Sequence, residues 1–255
     1  MTTTARWTAP GDVAQVVARM RALAAGLPPG DGVAVFNRVY LAVTDEVTRR
    51  LADGGFSDGP EAAALAVVFA GRYLAAVEDA GGREPGADGT AGAPGCWRPL
   101  LEARADPGVH PLQFALAGIT AHVGHDLALA VVDTCRSTGR APAEVAADYA
   151  EVGGVLRAIE VRVREELMPG PDLLERLDPL THAVGSWSLA RARDGAWAAA
   201  RLLWAVRDRP EAYEECAAGL DAAVGLMARA LLDPPGPLGP RPAQSSGSST
   251  GAISS

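Results

Sequence analysis

Apolar residues recur along this chain at helical spacing, and no strand-like alternation of useful length occurs anywhere. Val13, Val16, Val17, Met20 and Leu23 form the stripe of a first helix, Asp12 to Gly26, which Leu27-Pro28-Pro29-Gly30 stops. Asp31 is placed to cap a second helix, Val33 to Ala52, with Phe36, Tyr40, Val43, Val47 and Leu51 along its inner face. A turn at Phe56 to Pro60 leads into a third helix, Glu61 to Ala80, apolar on nearly every side. After a Gly/Pro/Asp-rich loop, Gly81 to Gly95, a short helix is expected over Trp97 to Ala103. Further helices are expected over Ala143 to Met168, Leu180 to Arg207 and Glu211 to Leu232.

The stretch His110 to Cys135 stands apart. It reads as one long helix, about 110 to 136, apolar on most of its circumference, and such a helix belongs in the middle of a domain. The expected architecture is therefore all-α: a single-domain bundle of about seven helices around this buried central one. Residues 1–11 read as a flexible N-terminus, 12–232 as the helical domain, and 233–255 as a disordered Pro/Ser/Gly-rich tail. Gly118 and Gly124 interrupt the central helix, where glycine costs about 1 kcal/mol against alanine. A neighbouring chain segment is expected to press against them.

The chemistry lies in polar groups set into apolar helices, because burying such groups bare is costly. His122, His125 and Asp126 are spaced i, i+3 and i+4, which puts them on one face of a helix. Two imidazoles and a carboxylate in that arrangement suit a divalent metal such as zinc, iron or manganese. The plainer alternative is a metal-free network in which the carboxylate orients a histidine, either structurally or as an acid–base pair. His110 lies about 18 Å before His122 along a continuous helix, and Asp133 about 10 Å beyond Asp126. Neither can share a first coordination shell with the cluster.

Three other places carry isolated polar groups. Asn37 and Arg72 are candidate substrate-binding groups, more simply read as helix-bridging or ion-pairing ones. Trp187, Arg191 and Asp194, at i, i+4 and i+7, could line a polar pocket; an Arg–Asp pair beside core tryptophans is the simpler reading. If these groups share a cavity with the histidines, the chain is an enzyme acting on a small organic molecule between helices, by hydrolysis, cyclisation or isomerisation. The alternative from another class is a non-catalytic helical protein that binds a ligand or partner in that cavity, with Arg72 or Arg191 holding an acidic group.

Composition narrows the partners. The net charge is −8 and no lysine/arginine stripe exists, so neither nucleic acid nor an anionic membrane surface is expected. Three scattered cysteines without a C-x-x-C pair suit a reducing cytoplasm. Histidine and aspartate within the central helix argue against a membrane span. No P-loop or Gly-rich dinucleotide fingerprint is present.

The segments VFNRVYLAVT, FAGRYLAAV, CWRPL, HPLQFALAGITAHVGHDLALAVVDT and VGSWSLARARDGAW, in that order, resemble a bacterial family of unknown function common in high-GC genomes. The resemblance spans roughly Leu27 to Arg207. It implies an all-helical intracellular domain with an H-x-x-H-D motif, matched by His122, His125 and Asp126, and it implies no activity. Helical zinc phospholipases also carry a His-x-x-x-Asp helix, but their three-zinc sites need more histidines than the four present.

Overall fold

The computed structural model describes residues 11–81, 92–154 and 188–232, and among them every regular element is helical. Residues 1–10, the loop 82–91, residues 155–187 and the tail 233–255 lie outside the described residues, and the expectations for them with them.

The local signals act where expected. Helix α1 (Val13–Gly26) is capped by Asp12, whose carboxylate accepts from the Gln15 N–H. Helix α2 (Gly32–Ala52) is capped by Asp31, which accepts from Val33 and Ala34. Helix α3 spans Gly59–Gly81 and the short α4 spans Arg98–Ala103. A second helical stretch after Gly139 opens with a 3-10 turn, Pro142–Glu144, and continues as α7 over 146–154. Helix α8 covers Leu189–Ala205 and α9 covers Pro210–Leu232.

Two expectations are corrected. The central helix is not one regular α-helix. It consists of α5 (Pro111–Ala121), a π-turn (His122–Asp126) and α6 (Leu127–Thr138). In the π-turn the Leu127 N–H reaches back to the His122 carbonyl, a five-residue step that widens the helix by one residue. The widened turn is the H-x-x-H-D segment itself. The second correction concerns residues 180–207. Ser188 is extended, and its hydroxyl accepts from the Arg191 N–H, so it is the N-cap of α8. The expected helix from Leu180 is thus interrupted at Ser188, and α8, with Arg191 and Asp194, begins after it. Trp187 lies outside the described residues, as do all of residues 155–187.

The central element is enclosed as its composition demands. Helix α5 packs between α2 and α9, and α6 between α3 and α8. Every residue of α6 from Leu127 to Val132 is buried. Gln113 ties the far end of α9 to the start of α5 by donating to the carbonyls of Leu231 and Leu232 at 2.9 and 3.1 Å. At Gly118 the Phe36 ring fills the space a side chain would need, as expected for a glycine in a packed helix. By length and composition, Gly59–Glu78 and Pro111–Thr138 are each apolar enough to cross a membrane; 89% of the window in the latter is buried inside the protein.

Candidate functional site

The π-turn brings His122, His125 and Asp126 into one buried cluster, and Asp126 is its hub. Its Oδ2 lies 3.0 Å from His122 Nδ1, and its Oδ1 lies 2.8 Å from His125 Nδ1. The Trp97 indole Nε1 also donates to Oδ2, at 2.9 Å. Asp126, His122 and Trp97 are each at most 1% exposed, and His125 is 5% exposed. A carboxylate with three N–H donors is stabilised in its charged form. Burial alone would push the Asp126 carboxyl up, but the hydrogen bonds from His122 and His125 outweigh it and hold the group at about 2.

An ionised Asp126 can only accept, so both histidines must carry hydrogen on Nδ1. The two Nε2 atoms face different surroundings. The His122 ring lies flat on Phe69, with centroids 3.6 Å apart, and Tyr40, Phe36, Tyr73 and Trp97 surround it edge-on or tilted. Its Nε2 is buried with no hydrogen-bond partner. Burial pushes this imidazole below its ordinary pKa, against the pull of Asp126, so it is neutral. Tyr40, beside it, is pushed well up by burial and by the Asp126 charge, and keeps its proton.

His125 Nε2 faces outward to Cys96 and Asp221. Among the described residues, Cys96, His125 and Asp221 form a group whose ligand atoms all lie within 4.8 Å of one another. His125 Nε2 stands 3.8 Å from Asp221 Oδ1, too long for a hydrogen bond. The Asp221 carboxylate is held from behind by the N–H groups of Gly95 and Cys96, each at 2.8 Å. Cys96 is fully buried, and burial, Asp126 and Asp221 together push its thiol pKa well up. Asp221 is the exposed edge of the group, with 28% of its side chain accessible. The loop before α4 can lie this close to α9 because two glycines meet there. A β-carbon on Gly95 would stand 2.7 Å from Asp221 Oδ2, and one on Gly225 would stand 2.9 Å from the Gly95 carbonyl.

The other candidate residues lie elsewhere. Asn37 is fully buried, donates to the Met20 carbonyl and accepts from the Tyr73 hydroxyl, so it bridges α1, α2 and α3. Arg72 pairs with Asp133 on α6. Arg191 and Asp194 are exposed on α8. The buried arginine of that helix is Arg193, which donates to the Tyr149 carbonyl and stacks over its ring. The described cavities do not include the cluster either. One, of about 430 Å³, opens between Pro142, Trp197, Arg201 and Trp204, and another of about 40 Å³ is lined by Tyr40 and Phe69.

Trp97, Cys96 and Asp221 are the members that sequence reasoning did not single out. Cys96 and Trp97 stand side by side in CWRPL, and Asp221 has no local signal at all.

Fold and cluster define an all-α protein built around a buried histidine–aspartate centre at a π-turn. The chain belongs to DUF5995, a family of unknown function whose model matches residues 13–234. No curated protein and no solved structure matches it.

Proposed function

We propose that this protein is an enzyme that moves a proton on a small organic substrate, with His125 as general base and Asp126 as the residue that orients it. The observation behind this reading is the 2.8 Å contact between His125 Nδ1 and Asp126. It fixes the tautomer, turns Nε2 toward Cys96 and Asp221, and places a buried negative charge where an imidazolium would form. The substrate approaches past Asp221, the exposed member of the group. Hydrolysis, cyclisation and isomerisation can each use such a base. The free cysteines Cys96, Cys135 and Cys216 fit action in a reducing cytoplasm.

The test is substrate consumption from a metabolite extract, followed by mass spectrometry, with the wild type and with His125→Gln and Asp126→Asn. The expected result is a compound turned over by the wild type and not by folded His125→Gln. A compound that binds both proteins and is left unchanged by both would replace the enzyme with a ligand-binding protein. That second reading asked Arg72 or Arg191 to hold an acidic group, and Arg72 already has Asp133 as its partner.

A further inference from the structure

We infer that Cys96, His125 and Asp221 form a zinc site, with Asp126 as the residue that positions His125. This rests on the same centre as the proposed function and gives it a cofactor: without zinc His125 Nε2 is the base, whereas with zinc on Nε2 His125 is a ligand and a zinc-bound water would serve as the base in its place. The ligand set differs from the one the H-x-x-H-D spacing suggests, since His122 and Asp126 are not in it.

Four observations carry the inference. The first is convergence: a thiol from the loop before α4, an imidazole from the π-turn and a carboxylate from α9 meet with their ligand atoms within 4.8 Å. These are three separate elements, and two of the three side chains are buried. The second is the mismatch between His125 Nε2 and Asp221 Oδ1. In its neutral form His125, with hydrogen on Nδ1, would turn an Nε2 lone pair toward that carboxylate, an approach that a cation between them would relieve. Their 3.8 Å separation is close to the roughly 3.4 Å between a nitrogen and an oxygen that share a tetrahedral zinc. The third is the support behind each ligand. Histidines that bind zinc ordinarily donate their other ring N–H to a carboxylate, as His125 does to Asp126. Ligating carboxylates are likewise hydrogen-bonded, as Asp221 is to two backbone N–H groups.

The fourth is the donor chemistry. Thiolate, imidazole and carboxylate together suit zinc; thiolate disfavours magnesium and calcium, and carboxylate disfavours copper(I). On binding, Cys96 releases its thiol proton to solvent, and Zn²⁺, one thiolate and one carboxylate then sum to zero charge. Three protein ligands leave a fourth position for water or substrate, the arrangement of catalytic rather than structural zinc.

The experiment uses the full chain, purified without chelator. Elemental analysis should find about one zinc per chain. After stripping, titration with cobalt(II) should produce the near-ultraviolet charge-transfer band of a thiolate–cobalt bond. Cys96→Ser should remove the band, whereas Cys135→Ser and Cys216→Ser should keep it. Asp126→Asn should keep all three ligands yet weaken zinc binding about 10–100-fold. A folded wild type that takes up no zinc and gives no cobalt band overturns the site, as does a band that survives in Cys96→Ser. The wild-type cobalt spectrum decides the matter even if a variant fails to fold. The two proposals fail separately. Zinc bound without any His125-dependent turnover sinks the enzyme, and turnover lost in His125→Gln from a zinc-free protein sinks the zinc.

Discussion

Gly124 lies against Val224: a β-carbon on Gly124 would stand 3.2 and 3.3 Å from the two Val224 methyl groups. Val224 is buried on α9, one turn after Asp221. The contact therefore couples the π-turn to the helix that supplies the outer carboxylate of the site. In Gly124→Ala, helix propensity favours the variant by about 1 kcal/mol, while overpacking against a buried β-branched side chain costs about 1–3 kcal/mol. The expected net effect is a loss of about 1 kcal/mol in urea unfolding, with weaker metal uptake because α9 is pushed outward. A stabilised Gly124→Ala with unchanged uptake would show that α9 does not press on the turn.

Trp97→Phe removes the N–H that Asp126 accepts together with the pyrrole part of the indole, so it also opens space in the core. Leaving a buried carboxylate one donor short costs about 1–3 kcal/mol. Calorimetry should show a lower melting temperature with an unchanged helical circular-dichroism spectrum. An unchanged melting temperature would mean that the 2.9 Å contact carries no stability.

Acid should weaken the fold in two stages. His122 is held neutral below its ordinary pKa, so the folded chain binds fewer protons than the unfolded chain. Its stabilising effect is complete above about pH 6.5 and is lost as pH falls below that value. Asp126, held at about 2, adds a second loss as pH falls from about 4 toward 2. Urea midpoints measured from pH 8 to pH 4 should be flat at first and then decline. In His122→Gln the decline between pH 6.5 and 4 should be smaller; an identical profile would assign it to other groups, His110 among them, whose pKa burial also lowers.

Arg72→Ala should leave activity and metal content unchanged. Its pair with Asp133 is 28% and 38% exposed, so its loss should cost under about 1 kcal/mol. A large fall in substrate affinity with unchanged stability would return Arg72 to the substrate-binding role that the sequence allowed it.

The sequence by itself determined what depends on neighbours within a few residues. Asp12, Asp31 and Pro111 mark helix starts because caps and first-turn prolines act locally. The apolar circumference of His110 to Cys135 fixed its burial, and polar groups set into it had to find partners. His122, His125 and Asp126 found them in one another. What tertiary structure decided is who else reaches that cluster. Asp221 meets Cys96 across 125 positions of chain, and no periodicity records a contact at that separation. The π-turn follows the same logic. An inserted residue leaves apolar spacing nearly intact, so only packing against α3, α8 and α9 shows that the turn is widened at His122 and which way each Nε2 points. Ser188 gave a local cap signal, yet the apolar pattern runs past it from Leu180. Where periodicity and capping disagree, the helix starts where the first free N–H groups find an acceptor.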